Sequence, residues 1–223
     1  MKTAARFGLT LNQAVWDGRR KLKLGVSIFD TRILSLPSIQ EALQTYNIGL
    51  GGSPSDKKRI DRRFYFGETN WIRPLANLLD SIEELVDRTR NIILVGHGFS
   101  SDLHVLRSIG FDLETSVVGI LDTEAMARTI FGPSDTRGGL RLKNILAKLN
   151  CPVERCHVAG NDANFTLRAL LLLVAECYFG FEDSLNDKAR ERLEKIKAIG
   201  HSPLLRLSAP PTYTADKNEI EPS

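Results

Sequence analysis

Two short apolar runs constrain what this chain can fold into more than any other feature. NIILVG (91–96) and SVVGILDT (116–123) are too short for helices and rich in β-branched residues. Runs of this kind are strands buried on both faces, which requires a sheet covered by helices on either side. A helical pattern follows each. FSSDLHVLRSIG (99–110) begins at Ser100 or Ser101, either of which can cap it, and stops at Gly110; TEAMARTIFG follows the second run. Upstream, RFGLTL (6–11), LKLGVSIFD (22–30) and TRILSL (31–36) read as further strands. NIGLGGSPSDKKRIDRR (47–63) reads as a loop, and apolar residues at 72, 75, 78, 79, 82, 85 and 86 set a helix. Downstream come a loop (132–139), an amphipathic helix (140–150), a long apolar helix ending near Phe179, a charged helix (183–200) and a frayed tail. The expectation is an α/β fold, a mixed β-sheet flanked by α-helices, with one domain over 1–182, a C-terminal helix over 183–200 and a tail over 201–223.

Composition narrows the classes. At 223 residues and 42% apolar content, a single domain can bury a core, and 26% charged residues of both signs argue against disorder. A net charge of +3 permits a polyanionic partner without demanding one. The cysteines at 151, 156 and 177 form no disulfide framework and suit a reducing compartment. With His157, Cys151 and Cys156 lack the second ligand pair of a zinc site. The run ALLLLVA is far shorter than the ~20 residues that span a bilayer, and the N-terminus lacks the apolar middle of a signal peptide. An intracellular protein, cytoplasmic or nuclear and free of membranes, is expected.

Two aspartates sit where carboxylates are costly. Asp102 shares a helical stripe with Leu106 and Ile109; Asp162 shares one with Phe165, Ala169, Leu170 and Leu173. Each lies in the first turn or so of its helix, where free N–H groups and the dipole favour negative charge. That explains either aspartate alone; it explains poorly why both occupy core-facing seams. His157 precedes Asp162 by five residues, which in an unbroken helix would set them about 140° apart. They converge only if His157 lies ahead of the helix, and Ala159 and Gly160 leave room for that and for a substrate. A histidine beside two carboxylates suits metal-assisted phosphodiester hydrolysis, with the carboxylates holding divalent ions and the imidazole taking a proton from water.

The H-x-A-x-x-D of His157, Ala159 and Asp162 resembles the third motif of the DEDDh (DnaQ-like) 3′–5′ exonucleases, which have an RNase H-like fold. VGHGFSSDLHVL, with Asp102, resembles their second motif. AGNDANFTLRALL, GVSIFDTR and ILDTEAMA are similar to a fungal branch that includes an exonuclease acting with an Argonaute in RNA silencing. The same branch includes a domain linked to a DEAD-box helicase in mRNA export. The resemblance covers roughly residues 7 to 180. It implies Asp102, Asp162 and His157 as catalytic residues, the two aspartates as ligands for one or two Mg or Mn ions, and single-stranded nucleic-acid 3′ ends as substrate, RNA in preference to DNA. It also implies a protein partner in RNA silencing or mRNA export.

The first motif, D-x-E on the first strand, is where this sequence departs. Alignment sets Leu11 at the aspartate and Gln13 at the glutamate, neither of which replaces a metal-binding carboxylate. Asp122-x-Glu124 imitates the motif but stands between the second and third motifs, where Asp122 reads as a helix cap. Asp17 and Asp30 fall off the expected strand position. Lys57, Lys58, Arg59, Arg62 and Arg63 are candidate phosphate contacts, as are Arg19, Arg20, Lys21 and Lys23. Asn161 is a further nucleic-acid candidate, and Phe99 a candidate base-stacking ring, with core packing as its competing role. The expected function is an end-binding exonuclease-type domain, active if the metals are held. A pseudo-nuclease that binds RNA and a protein-interaction module are the alternatives.

Overall fold

Residues 5–12, 22–37, 42–73, 77–132 and 140–204 are described by a computed structural model. Six strands, β1 (Ala5–Asn12), β2 (Leu22–Asp30), β3 (Leu43–Leu50), β4 (Thr69–Ile72), β5 (Ile92–Gly96) and β6 (Val117–Asp122), form one sheet in the order β4-β3-β2-β1-β5-β6. β1–β2 and β2–β3 are antiparallel, while β1–β5, β5–β6 and β3–β4 are parallel. This is the α/β mixed sheet of an RNase H-like fold.

Helices α1 (Pro54–Asp61), α2 (Asn77–Glu83), α3 (Ser100–Ser108), α4 (Thr123–Phe131), α5 (Leu142–Lys148), α6 (Ala159–Glu176) and α7 (Asp187–Gly200) surround the sheet. On one side, Leu78 and Ile82 of α2, Leu106 of α3 and Phe99 ahead of it pack on Leu24, Val26, Ile48, Ile92 and Leu94. On the other, Leu167, Leu170 and Leu171 of α6 meet Phe29 and Val95, together with Ile199 of α7. The outer face of α6 packs on Ala127 of α4 and on Ile145 and Leu146 of α5. With the sheet on one side and three helices on the others, α6 has almost no exposed surface, which is why it reads as apolar nearly all round. Among the described residues, no helix is long and apolar enough to cross a membrane.

Three expectations are corrected. The 31–36 strand is a 3₁₀ turn, Thr31–Ser35, because the Asp30 side chain accepts the Arg32 N–H and turns the chain out of β2. The 47–63 loop contains the end of β3 and all of α1. The Ser53 side chain accepts the Asp56 N–H, Asp56 answers to the Ser53 N–H, and Pro54 opens the helix. The helix expected from 72 starts at Asn77, because Thr69–Ile72 pairs alongside β3 as β4. Residues 133–139 and the tail from 205 lie outside the described residues. The final charged helix buries Leu193 and Ile199, and Arg168 of α6 donates to the carbonyls of Gly200 and Ser202 at its end.

Candidate functional site

β1 and β5 run parallel, so their carboxyl-terminal ends lie at one end of the sheet. α3 leaves β5 at that end, and α6 starts there against Gly25, which is paired with Thr10 of β1. The contact is backbone to backbone: a Cβ on Gly25 would stand 1.9 Å from the Ala159 carbonyl oxygen. A Cβ on Gly160 would stand 2.5 Å from the Phe64 ring, and the Gly160 N–H donates to Asn47 Oδ1 at 2.9 Å. Both glycines are therefore required for α6 to enter so close to the sheet.

This entry resolves how His157 and Asp162 meet. His157 lies ahead of α6, exposed, in the left-handed region at φ 70°. Asp162, 8% exposed, reaches back so that both carboxylate oxygens accept the His157 N–H at 3.2 Å. Burial pushes the Asp162 pKa up to about 6, although the His157 N–H and the nearby His157 and Arg63 charges act to lower it. Asp102, also 8% exposed, stands in the first turn of α3, where Phe99 supplies no side-chain cap.

The segment carrying His157 is clamped from α1. Arg63 donates to the Cys156 carbonyl at 2.9 Å, and Arg155 donates to the Arg62 carbonyl at 2.8 Å. The Arg155 guanidinium also lies 4.6 Å from the Tyr65 ring centre, and Arg155 is itself at φ 48°. Two non-glycine residues in this region within three positions store strain that the clamp holds. Asn161 completes the clamp. It is fully buried, accepts the Tyr65 N–H and donates to the Arg63 and Arg155 carbonyls, so it anchors the loop. Phe99 is likewise core, 1% exposed, in keeping with its packing role. Of the basic candidates, Lys58, Arg59, Arg62 and Arg63 are exposed on α1 and the turn after it. Arg59 pairs with Asp56, and Lys57 lies over the Trp71 ring.

Leu11, the expected position of the first-motif aspartate, lies within β1. Leu11 pairs with Leu24, as Leu9 does with Val26 and Phe7 with Ile28, and that β2 set belongs to the α2–α3 side of the sheet. Thr10 pairs with Gly25, which touches α6, and Asn12 pairs with Lys23 two positions on. Directly opposed residues share a side of the sheet. Thr10 and Asn12 are thus in register with the β2 positions beside α6, and Leu11 with the other set. Gln13 and Asp17 lie outside the described residues. Asp30 is no substitute: burial acts to raise its pKa, but bonds from Arg90 and Arg32 outweigh that and hold the carboxyl well below the usual range. Asp122 caps α4 through the Glu124 N–H, as expected. It also accepts the Gly98 and Phe99 N–H groups, so it holds the turn that delivers Asp102, a role sequence alone did not suggest. His97 bonds to Thr123 beside it at 3.0 Å. Among the described residues, no three His, Cys, Asp or Glu side chains group so that they could hold a metal ion.

The family model for the DNA polymerase III subunit epsilon-like, C-terminal domain of the DEDDh type matches residues 58–173, just over half the chain. The chain belongs to the DEDDh family. The match takes in the end of α1, both aspartates and His157 and stops within α6, so it covers the clamp but not β1. An uncharacterised nucleolar protein of Schizosaccharomyces pombe is 29% identical to this DEDDh chain over 111 residues, 48% of the chain and 44% of the relative. The aligned region thus spans less than half of that relative's length.

Proposed function

We propose that this DEDDh domain holds the 3′ end of a single-stranded nucleic acid, RNA in preference to DNA, without hydrolysing it. The observation that carries the reading is that β1 holds no carboxylate, and that Thr10 and Asn12 are its positions in register with the β2 residues beside α6; among the described residues Asp102 and Asp162 are the pair that remains. Two carboxylates neutralise two divalent ions poorly, so the set among the described residues does not fit a pair of Mg or Mn ions. Binding rests on different groups. Lys58, Arg62, Arg63 and Arg155 are exposed around the clamp that presents His157, and cations so placed meet a backbone through its phosphates. The nucleolar relative favours a nuclear setting, and the resemblance to silencing and mRNA-export proteins suggests a protein partner as well.

The test is a 5′-labelled single-stranded RNA incubated with the protein in Mg or Mn, beside Asp162→Asn. Retention of the RNA with no shortening is expected, with affinity that falls steeply as salt rises. A 3′-to-5′ ladder from the native chain alone would establish that Asp102, Asp162 and His157 still cut.

A further inference from the structure

The turn between α6 and α7 displays aromatic side chains that the fold does not use. Tyr178 is 43% exposed, Phe179 76% and Phe181 65%, whereas every other phenylalanine of described burial is buried or half-buried. The backbone beneath them is fixed. Phe181 N–H donates to the Tyr178 carbonyl at 2.9 Å, Phe179 N–H to Glu176 at 3.1 Å, and Ser184 N–H to Phe181 at 3.0 Å. Gly180, at φ 79°, supplies the left-handed position and donates to Glu182 Oε2 at 2.8 Å. Rings on a preformed turn bind with little ordering of the main chain, and large exposed apolar groups clustered in this way mark interaction sites.

Charge decides what the turn meets. Residues 176–187 contain four carboxylates, Glu176, Glu182, Asp183 and Asp187, and no lysine or arginine. Glu176 and Asp183 are exposed. Of the nearby cations, Lys197 is held against Glu182 and Glu194 and Arg190 against the Glu182 carbonyl; Lys188 follows the acidic run exposed, and the turn keeps its negative balance. Phosphate backbones and anionic membranes are repelled by such a rim. A second copy, meeting this one about a two-fold axis, would set the same carboxylates against each other.

We propose that Phe179 and Phe181 are a docking knob for another protein, which receives them in an apolar pocket rimmed by basic residues. The 18 residues of α6 separate the knob from His157 by about 25 Å, so a docked partner leaves the nucleic-acid end free. The inference stands independently of whether RNA is bound or cut.

Cys177, exposed beside the knob, is the probe site, since Cys151 is buried and burial, with the Asp162 charge, pushes the half-buried Cys156 thiol up. A photo-crosslinker on Cys177 of the full chain identifies a protein in extract, which is then purified and titrated against fluorophore-labelled chain. Phe179→Ser with Phe181→Ser should weaken that binding at least tenfold, and Glu176→Gln with Asp183→Asn should weaken it and flatten its salt dependence. RNA affinity and melting temperature should not change in either variant. The proposal is overturned if no protein crosslinks or if the purified protein binds the double serine variant equally well. It is overturned equally if the serines instead reduce RNA affinity, abolish a dimer in ultracentrifugation, or abolish binding to phosphatidylserine vesicles.

Discussion

Asp162→Asn should stabilise the protein at neutral pH and not in mild acid. The native carboxyl is 8% exposed, and burial is the main reason its pKa stands at about 6 in place of 3.8. Below about pH 4 it is protonated in the folded and the unfolded chain alike. Between there and pH 6 the unfolded chain releases the proton while the folded chain keeps it. Stability contributed by the protonated form is therefore present below the unfolded value and lost as pH rises through the folded one. The loss corresponds to about 3 kcal/mol. Asparagine has nearly the same shape, stays neutral, and retains one oxygen to accept the His157 N–H; losing the second acceptor costs about 1 kcal/mol. The expected net is about 2 kcal/mol of added stability at pH 7.5, and parity or about 1 kcal/mol of loss at pH 4. Urea unfolding of both proteins at the two pH values measures this, as a rise in midpoint of about 1 M at pH 7.5 with an unchanged slope. A variant less stable than the native chain by the same amount at both pH values would refute the argument, because it would mean the buried carboxylate is already compensated.

Two further outcomes follow from the backbone around the site. Gly25→Ala should cost more than about 3 kcal/mol in thermal or urea unfolding, since its Cβ would sit 1.9 Å from an α6 carbonyl that cannot move alone, whereas Gly119→Ala, with nothing within 4 Å, should stay within about 1 kcal/mol. Thr10→Asp with Asn12→Glu should create Mg-dependent stabilisation and RNA shortening, while Leu11→Asp with Gln13→Glu should give neither and lower the melting temperature; the reverse pattern would show that the register argument is wrong.

What was legible in the sequence follows physical lines. β5 stood out because a strand between helix layers needs apolar residues on both faces; β6 carries a similar run but is not buried on both faces as expected, because at the sheet edge it leaves Val118 60% and Ile120 43% exposed. β3 did not, because beside the core residues Ile48 and Leu50 it also buries Asn47 and half-buries Thr45. Thr45 bonds to Ser27 and Asn164, and Asn47 to Thr69 and Gly160, so the strand hides polar groups against α6 and breaks the expected alternation. α1 has only Ile60 buried and so carries no apolar stripe, but its start signal was present in Ser53, Pro54 and Asp56 and outweighed the glycines before it. His157 and Asp162 were legible because their meeting is local to one helix start. Asn161 was not, since its partners Arg63 and Tyr65 lie nearly a hundred residues away.

The register of β1 was also written in the sequence, and it bears on function. Phe7, Leu9 and Leu11 form one alternating apolar set and Gly8, Thr10 and Asn12 the other, and a slip of one position exchanges the faces. Placing a lost carboxylate at Leu11 treats an apolar-set residue as part of the site. The pairing of Thr10 with Gly25, beside α6, is the ground for proposing the other set, whose members are small or polar. On that proposal, what this chain has lost is charge and not polarity. Threonine and asparagine at those positions can hydrogen-bond to a nucleic-acid end but cannot neutralise metal ions, which favours binding that outlasts hydrolysis.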